Sequence, residues 1–455
     1  MFTRNFLRVI IAIGLITFFA ACTPTPSAIP LPTAQPTALA IPASPIPQPI
    51  ITALLPTPTA TTITIPPTPT LKPITLDDRK NIFEQVWATV RDKYVYTDFR
   101  GVDWQKVHDE FAPKVAATTT SENFYDLMRD LIKKLGDDTS YFMDPREVTQ
   151  DDQYRSYTAA WGGIGATIND DGRITLLFKN APAEAAGLKR FEIIKTINGI
   201  PYTDTRAFGA SGPIMAIRGP IGSSVNLAIQ SFDGKTRAVE IKRAAISASS
   251  DLDAPEIARL AGTQVGILTI KNFYANDLDT QIKTLIQKLS EAGSLEGLIV
   301  DVRMSGAGPI SMMSQTLGLF LEGGSIGNYV GRDFKQDVLG TRNVPIAQLK
   351  DVPIIVLTSR YTVGISEIFI AGMQSRKRVR VVGTSSGGFT NISNKYNFSD
   401  GSRLWLEISV YRLPDGTSIQ GRGVQPDRVV EPKWDVFGTM DDPQIQAALE
   451  ELKKK

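Results

Sequence analysis

From residue 23 to residue 71 the chain carries no charged side chain, and this stretch together with Pro73 holds 15 of the 29 prolines. Proline fixes φ and lacks the amide donor, so a segment this rich in it sustains neither a ladder nor a helix and cannot close a core. Residues 22–74 therefore read as an extended, polyproline-like tether, and whatever folds must lie after it. The remainder is long enough for two or three domains of roughly 100–200 residues each. Charge then narrows the function. Lys plus Arg number 49 against 47 Asp plus Glu, a net charge of +2. With no basic run beyond residues 453–455, there is no electrostatic case for nucleic acid. A single cysteine, Cys22, excludes an internal disulfide framework and a cysteine-based metal site. A single histidine, His108, excludes a multi-histidine one. No metal and no cofactor is expected.

Ahead of the tether, Arg4 and Arg8 precede a charge-free apolar run over 9–21. It has the length of a signal-peptide core and falls short of the roughly 20 residues that span a bilayer. Residues 1–21 read as a signal peptide. Its end, Phe19-Ala20-Ala21-Cys22, resembles a bacterial lipobox, with Phe19 where Leu or Val is usual. The resemblance implies that Cys22 is lipidated and becomes the mature N-terminus. The protein is then an extracytoplasmic lipoprotein, anchored to the bacterial cell membrane, with the tether holding its body off the surface.

The body reads as an α/β multidomain chain. Residues 75–150 form an N-terminal helical region: Ile82, Phe83, Val86, Trp87, Val90 and Tyr94 recur at helical spacing, as do Phe124, Leu127, Met128, Leu131, Ile132 and Leu135. His108 sits in a third helical stretch and reads as a surface or packing residue. Over 157–245 the pattern changes to short strands and glycine turns. From residue 255 to 435, apolar strand runs (265–270, 298–302, 352–357, 379–382) alternate with helical stretches (278–289, 311–321, 366–374). That alternation predicts a largely parallel sheet covered by helices. Residues 436–455 are left as a C-terminal tail.

The order over 157–245 resembles a PDZ domain: Gly162-Gly163-Ile164-Gly165, the turn Asp170-Asp171-Gly172, Ala181-Pro182-Ala183-Glu184-Ala185-Ala186-Gly187-Leu188, Ile197-Asn198-Gly199 and Arg218-Gly219-Pro220-Ile221-Gly222. The resemblance implies a glycine loop (Gly162, Gly163, Ile164, Gly165) whose N–H groups read a peptide carboxylate. The strand edge over 164–168 then pairs with the peptide, facing a helix that carries Ile214, Met215 and Ile217. One departure is Lys189-Arg190-Phe191-Glu192, where such domains have Pro-Gly-Asp.

Residues 77–430 as a whole resemble the carboxy-terminal processing (tail-specific) serine peptidases, which join a PDZ domain to a ClpP/crotonase-like peptidase core. The carriers are Gly297-Leu298-Ile299-Val300-Asp301-Val302-Arg303, Ser366-Glu367-Ile368-Phe369, Arg378-Val379-Arg380-Val381-Val382-Gly383 and Gly416-Thr417-Ser418-Ile419-Gln420-Gly421-Arg422-Gly423-Val424. The family's nucleophilic serine aligns with Gly364, its general-base lysine with Phe389, and that lysine's supporting glutamine with Ser393. A related branch uses Ser-His-Glu chemistry, and its histidine aligns with Thr139. In the oxyanion segment, Ala307 replaces a glycine. The resemblance thus implies a serine-type peptidase by descent with no intact catalytic site: a pseudopeptidase that binds polypeptide C-termini or a protein partner. The alternative is an active endopeptidase with a displaced nucleophile. Ser366 is the nearest candidate, with Ser385, Ser386 and Lys377 as fallback groups lacking motif support.

Overall fold

The computed structural model describes residues 71–454 apart from 138, 157–160, 205–206, 209–211, 247–253, 333–334 and 341–344. Cys22, the signal peptide and residues 22–70 of the tether lie outside the described residues. No described helix is long and apolar enough to cross a membrane.

The N-terminal helices Leu76–Lys93, Trp104–Ala117 and Ser121–Lys133 start where the sequence supplies caps. Thr75 Oγ1 accepts from the Asp78 N–H while the Asp78 carboxylate accepts from the Thr75 N–H, and Asp103 and Thr120 cap the other two. Their apolar stripes bury Ile82, Phe83, Val86, Val90, Phe111, Val115, Phe124, Met128 and Leu131 in one cluster. Trp87 and Trp104 each donate their indole N–H to the other's carbonyl, at 2.9 and 3.1 Å. This region is not closed on itself. Strand Tyr141–Met143 pairs antiparallel with Arg403–Arg412, whose Leu404 and Leu406 complete the helical core.

Residues 161–244 form a small β-rich module around Ile164, Ile174, Leu188, Ile194, Ile197, Val225, Leu227, Ile229 and Ile241. Its strands make a four-stranded antiparallel sheet and a separate hairpin of Ala166–Ile168 with Ile174–Leu177.

The remainder is built on two sheets. In the six-stranded one, Val265–Thr269, Gly297–Asp301, Ile354–Thr358, Val379–Gly383 and Arg428–Val429 run parallel, with Glu256–Arg259 antiparallel at one edge. Gly297–Asp301 and Ile354–Thr358 are buried at every residue, as continuous apolar runs between helices should be. Leu298, Val300, Val302, Ile354, Val356 and Val381 pack with helices Leu278–Glu291, Ile310–Leu317 and Ile365–Ser375. On the other face, Ile299, Ile355, Leu357 and Val382 meet Ile445, Ala447 and Ala448. These belong to helix Pro443–Leu452, so the segment expected to be a tail packs on this face of the sheet.

The second sheet is antiparallel throughout: Tyr141–Met143, Arg403–Arg412, Gly324–Gly331 and Lys335–Gly340 in order, with Ile392–Asn397 on the far edge of Arg403–Arg412. Over the whole body the pairings are mostly antiparallel, and the expected parallel arrangement holds for the six-stranded sheet alone.

Candidate functional site

The site grows from two chain reversals at the ends of neighbouring parallel strands. After Gly297–Asp301, the fully buried Arg303 is held by Asp301 (Nε to Oδ1, 2.9 Å) and by Asp442 and Gln444 (2.6 and 2.8 Å). After Ile354–Thr358, Ser359 Oγ donates to the Arg303 carbonyl at 2.5 Å, Thr362 Oγ1 to the Val302 carbonyl at 2.8 Å, and the Val363 N–H to the Ser305 carbonyl at 3.0 Å. The 302–305 loop and the 359–363 turn are thereby joined along their length.

Gly364 follows, at φ +59° and ψ −125°, where helix Ile365–Ser375 starts. A Cβ there would stand 2.7 Å from the Gly306 carbonyl oxygen. Gly306 is itself confined, since a Cβ on it would meet Val363 Cγ2 at 2.5 Å. Next to it, the Ala307 carbonyl accepts the Phe273 N–H at 2.8 Å, and Gly308 lies so close to the Phe273 backbone that only glycine fits.

Glu367, one turn into the helix and fully buried, binds the two halves of the site together. It accepts the N–H groups of Gly364, Gly388 and Phe389 at 2.9, 2.6 and 2.8 Å, and the Ser386 hydroxyl at 2.5 Å. Burial pushes its carboxyl above the usual range against the pull of these bonds. A single acid opening the run Ile368-Phe369-Ile370 was the sequence signal for such a residue.

Gly306, Ala307, Gly308, Gly364, Phe389 and Ser393 all border one cavity of about 390 Å³, together with Ile310, Tyr329, Gln336, Ile365, Thr390, Asn391 and Ile392. The positions singled out as nucleophile, base, supporting group and oxyanion loop are therefore brought together. Among the described residues, no lysine, histidine or carboxylate borders the cavity. Of its hydroxyl-bearing residues Tyr329, Thr390 and Ser393, Thr390 donates to the Gln420 amide oxygen and Ser393 accepts from the Asn391 amide.

The fallback groups stand elsewhere. Ser366 is fully buried and donates to Ser305 Oγ at 2.8 Å. Ser386 is used by Glu367 and by the Val424 N–H, Ser385 bonds Gln425, and Lys377 is exposed beyond the helix end. His108 contacts Phe83 and Trp87 and pairs with Glu84 at 2.9 Å, as a packing histidine should.

Thr139 donates to Glu407 Oε2 at 3.0 Å, and Glu407 pairs in register with Ser393 on its other side. The histidine position, a carboxylate and the cavity wall thus form one row across the antiparallel sheet. Sequence reasoning missed Glu407, an acid within the apolar strand Leu404-Trp405-Leu406-Glu407-Ile408. It is buried, its Oε1 has no partner among the described residues, and desolvation raises its carboxyl to about 7.

In the glycine loop, Gly162 pairs with Gly219, and Gly163 exchanges both backbone bonds with Ala244. Ile164 is buried in the module core, and Gly165, at φ +72°, has no room for a Cβ beside Ala181. The strand that follows begins at Ala166, later than expected.

Residues 264–430 match the model of peptidase family S41, and residues 76–133 that of the tricorn protease C1 domain. The chain is therefore similar to that peptidase family over its core and to that domain over its N-terminal helices. Relatives include a carboxyl-terminal-processing protease of Picosynechococcus, 27% identical over 84% of this chain and 91% of its own length. A probable CtpA-like serine protease of Staphylococcus epidermidis is 24% identical over 74% and 66%. The chain is thus similar along most of its length to C-terminal processing serine proteases. In fold, the photosystem II D1 C-terminal processing protease superposes with a TM-score of 0.60 over 79% of this chain and 94% of that one, at 21% identity.

Proposed function

We propose that this protein is a hydrolytically silent relative of the C-terminal processing peptidases, lipid-anchored through Cys22 outside the cytoplasm, which binds polypeptide C-termini through a PDZ domain at 157–245. The observation that carries the loss of chemistry is the cavity wall. Hydrolysis by this family's route needs a hydroxyl and a base within hydrogen-bond reach of one another. Gly364 supplies no hydroxyl and Phe389 no base; Thr390 and Ser393 hydrogen-bond to amide side chains, and Glu407, the carboxylate in register with Ser393, is buried and accepts from Thr139 rather than from the Ser393 hydroxyl. A displaced nucleophile at Ser366 has no access, because its Oγ is sealed against Ser305.

Peptide capture is supported by the module's open strand. Ala166–Ile168 pairs only with Ile174–Leu177, so its other edge has no strand partner among the described residues. The N–H groups of Ile164 and Gly165 likewise donate to nothing there, whereas those of Gly162 and Gly163 lie in strand pairing. The carboxylate is read by Ile164 and Gly165, a narrower cradle than four residues, and the peptide adds as a strand.

The test uses the purified full chain with an apolar-tailed unfolded protein and with a synthetic apolar-tailed peptide as free acid and as amide. The expected result is no cleavage, no labelling by a serine-reactive phosphonate, and markedly tighter binding of the acid than of the amide. Reproducible cleavage that Ser366→Ala abolishes would overturn the silent reading, and equal affinity for acid and amide would overturn the PDZ reading.

A further inference from the structure

Phe191 has a conformation that needs a reason. It holds φ +73°, a region that bulky L residues rarely adopt, at the corner where PDZ domains carry Pro-Gly-Asp. The neighbouring acid stays within its own module, where the buried Glu192 accepts the Lys189 N–H and pairs with Arg237 at 2.7 Å. Phe191 instead points out of the module into the peptidase core. Its ring lies 4.4 Å from that of Phe437 and 5.3 Å from that of Trp434, which stack on each other, and only 5% of the residue is exposed. Three cations seal this aromatic group. Arg173 of the module lies 4.6 Å over Trp434, Arg190 lies 5.9 Å over Phe437, and Arg303 of the core lies 3.6 Å over Phe437.

We propose that Phe191 is a plug that latches the 157–245 module onto the peptidase core, and that the latch holds the 301–308 loop at the cavity. Backbone strain persists only where its surroundings over-determine it. Here they do so through the 431–438 segment, whose Phe437 is in turn covered by Arg303. A second contact runs parallel to the first. Asp171, in the turn of the module's hairpin, accepts from Tyr361 Oη at 2.9 Å and from Arg360, and Tyr361 also packs against Trp434. Tyr361 lies three residues before Gly364, which borders the cavity. The two contacts leave the module no free hinge at this corner, so module and core open as one unit. None of this depends on what the module binds.

The test is hydrogen exchange of the full chain carrying Phe191→Gly. Glycine relieves the positive φ, so relief of strain by itself would leave exchange in the core unchanged or slow it. The latch predicts the opposite sign. Amides of 431–438 and 301–305 should exchange at least about tenfold faster, while those of the module strands Ser224–Gln230 and Thr236–Lys242 keep their protection. Unchanged exchange at 431–438 and 301–305 overturns the proposal. Should the module strands also lose protection, Phe437→Ala decides, since it leaves the module's own chain intact. Faster exchange at 171–173 and 189–192 then supports the latch, and unchanged exchange there refutes it.

Discussion

Replacing Gly364 by serine is the obvious attempt to restore a nucleophile, and the geometry makes it a costly one. The glycine holds φ +59° and ψ −125°, and a Cβ would stand 2.7 Å from the Gly306 carbonyl oxygen and 3.7 Å from that of Phe389. A backbone well of this kind costs a non-glycine residue about 1–3 kcal/mol. The contact with Gly306 adds to that, because a backbone atom is the obstacle and its loop is fastened at Ser305 by Val363 and Ser366. Gly306 cannot retreat past Val363, which already fills the space beside it. Gly364→Ser should therefore destabilise the chain by about 2–4 kcal/mol, a large effect for one methylene and a hydroxyl. Urea denaturation of the two proteins side by side reads the difference, with hydrolysis of an unfolded substrate measured in parallel. No activity should appear, since Phe389 still provides no base. A loss below about 0.5 kcal/mol, the size of an ordinary surface change, would refute the reasoning and show that the 304–308 loop moves freely.

Two further outcomes follow from the same structure. Glu367→Ala leaves three backbone N–H groups and the Ser386 hydroxyl without their shared acceptor; it should cost about 3–5 kcal/mol in thermal unfolding. Cys22→Ser should move the protein from the membrane to the soluble fraction on cell fractionation, and a mutant that stays with membranes would remove the anchor.

What could be read beforehand, and what could not, follows burial and sequence distance. The strands of the parallel sheet announce themselves because helices cover both faces. Every residue of Gly297–Asp301 and Ile354–Thr358 must then be apolar or a strand-end Asp or Thr. The antiparallel sheet has no such signature. Ile392–Asn397 mixes exposed and half-buried residues without a regular alternation, and Tyr141–Met143 finds its partner more than 250 residues away. Helix Pro443–Leu452 was missed in favour of a tail, although Ile445, Ala448, Leu449 and Leu452 repeat at i, i+3, i+4 and i+7, all in its buried or packed cluster. Within the site, motif alignment brings Gly364, Phe389, Ala307 and Ser393 to one cavity. It says nothing of Glu367, whose part depends on hydrogen bonds to loops that alignment leaves unplaced. The glycine loop misleads in a different way. Two of its four residues pair with other strands, and Gly165 is there because Ala181 leaves no room for a side chain.

Glu407 gives the chain a pH dependence whose sign can be worked out. Its neighbours are Thr139, which donates to Oε2, Asp137, whose charge opposes ionisation, and Arg100, whose charge favours it; desolvation dominates and sets the folded carboxyl at about 7. An unfolded glutamate titrates near 4.3, so between these limits the folded state holds a proton that the unfolded state has released. Stability is then complete below the unfolded value and falls as pH rises through about 7, by about 4 kcal/mol at most. Glu407→Gln keeps an oxygen for Thr139 and abolishes the titration. The variant should match the wild type near pH 4 and be more stable by about 2–3 kcal/mol at pH 8, read from urea denaturation midpoints across that range. Parallel pH profiles for the two proteins would mean that Glu407 ionises freely in the folded chain. The row from Thr139 to Ser393 would then contain a charged carboxylate at neutral pH rather than a protonated one.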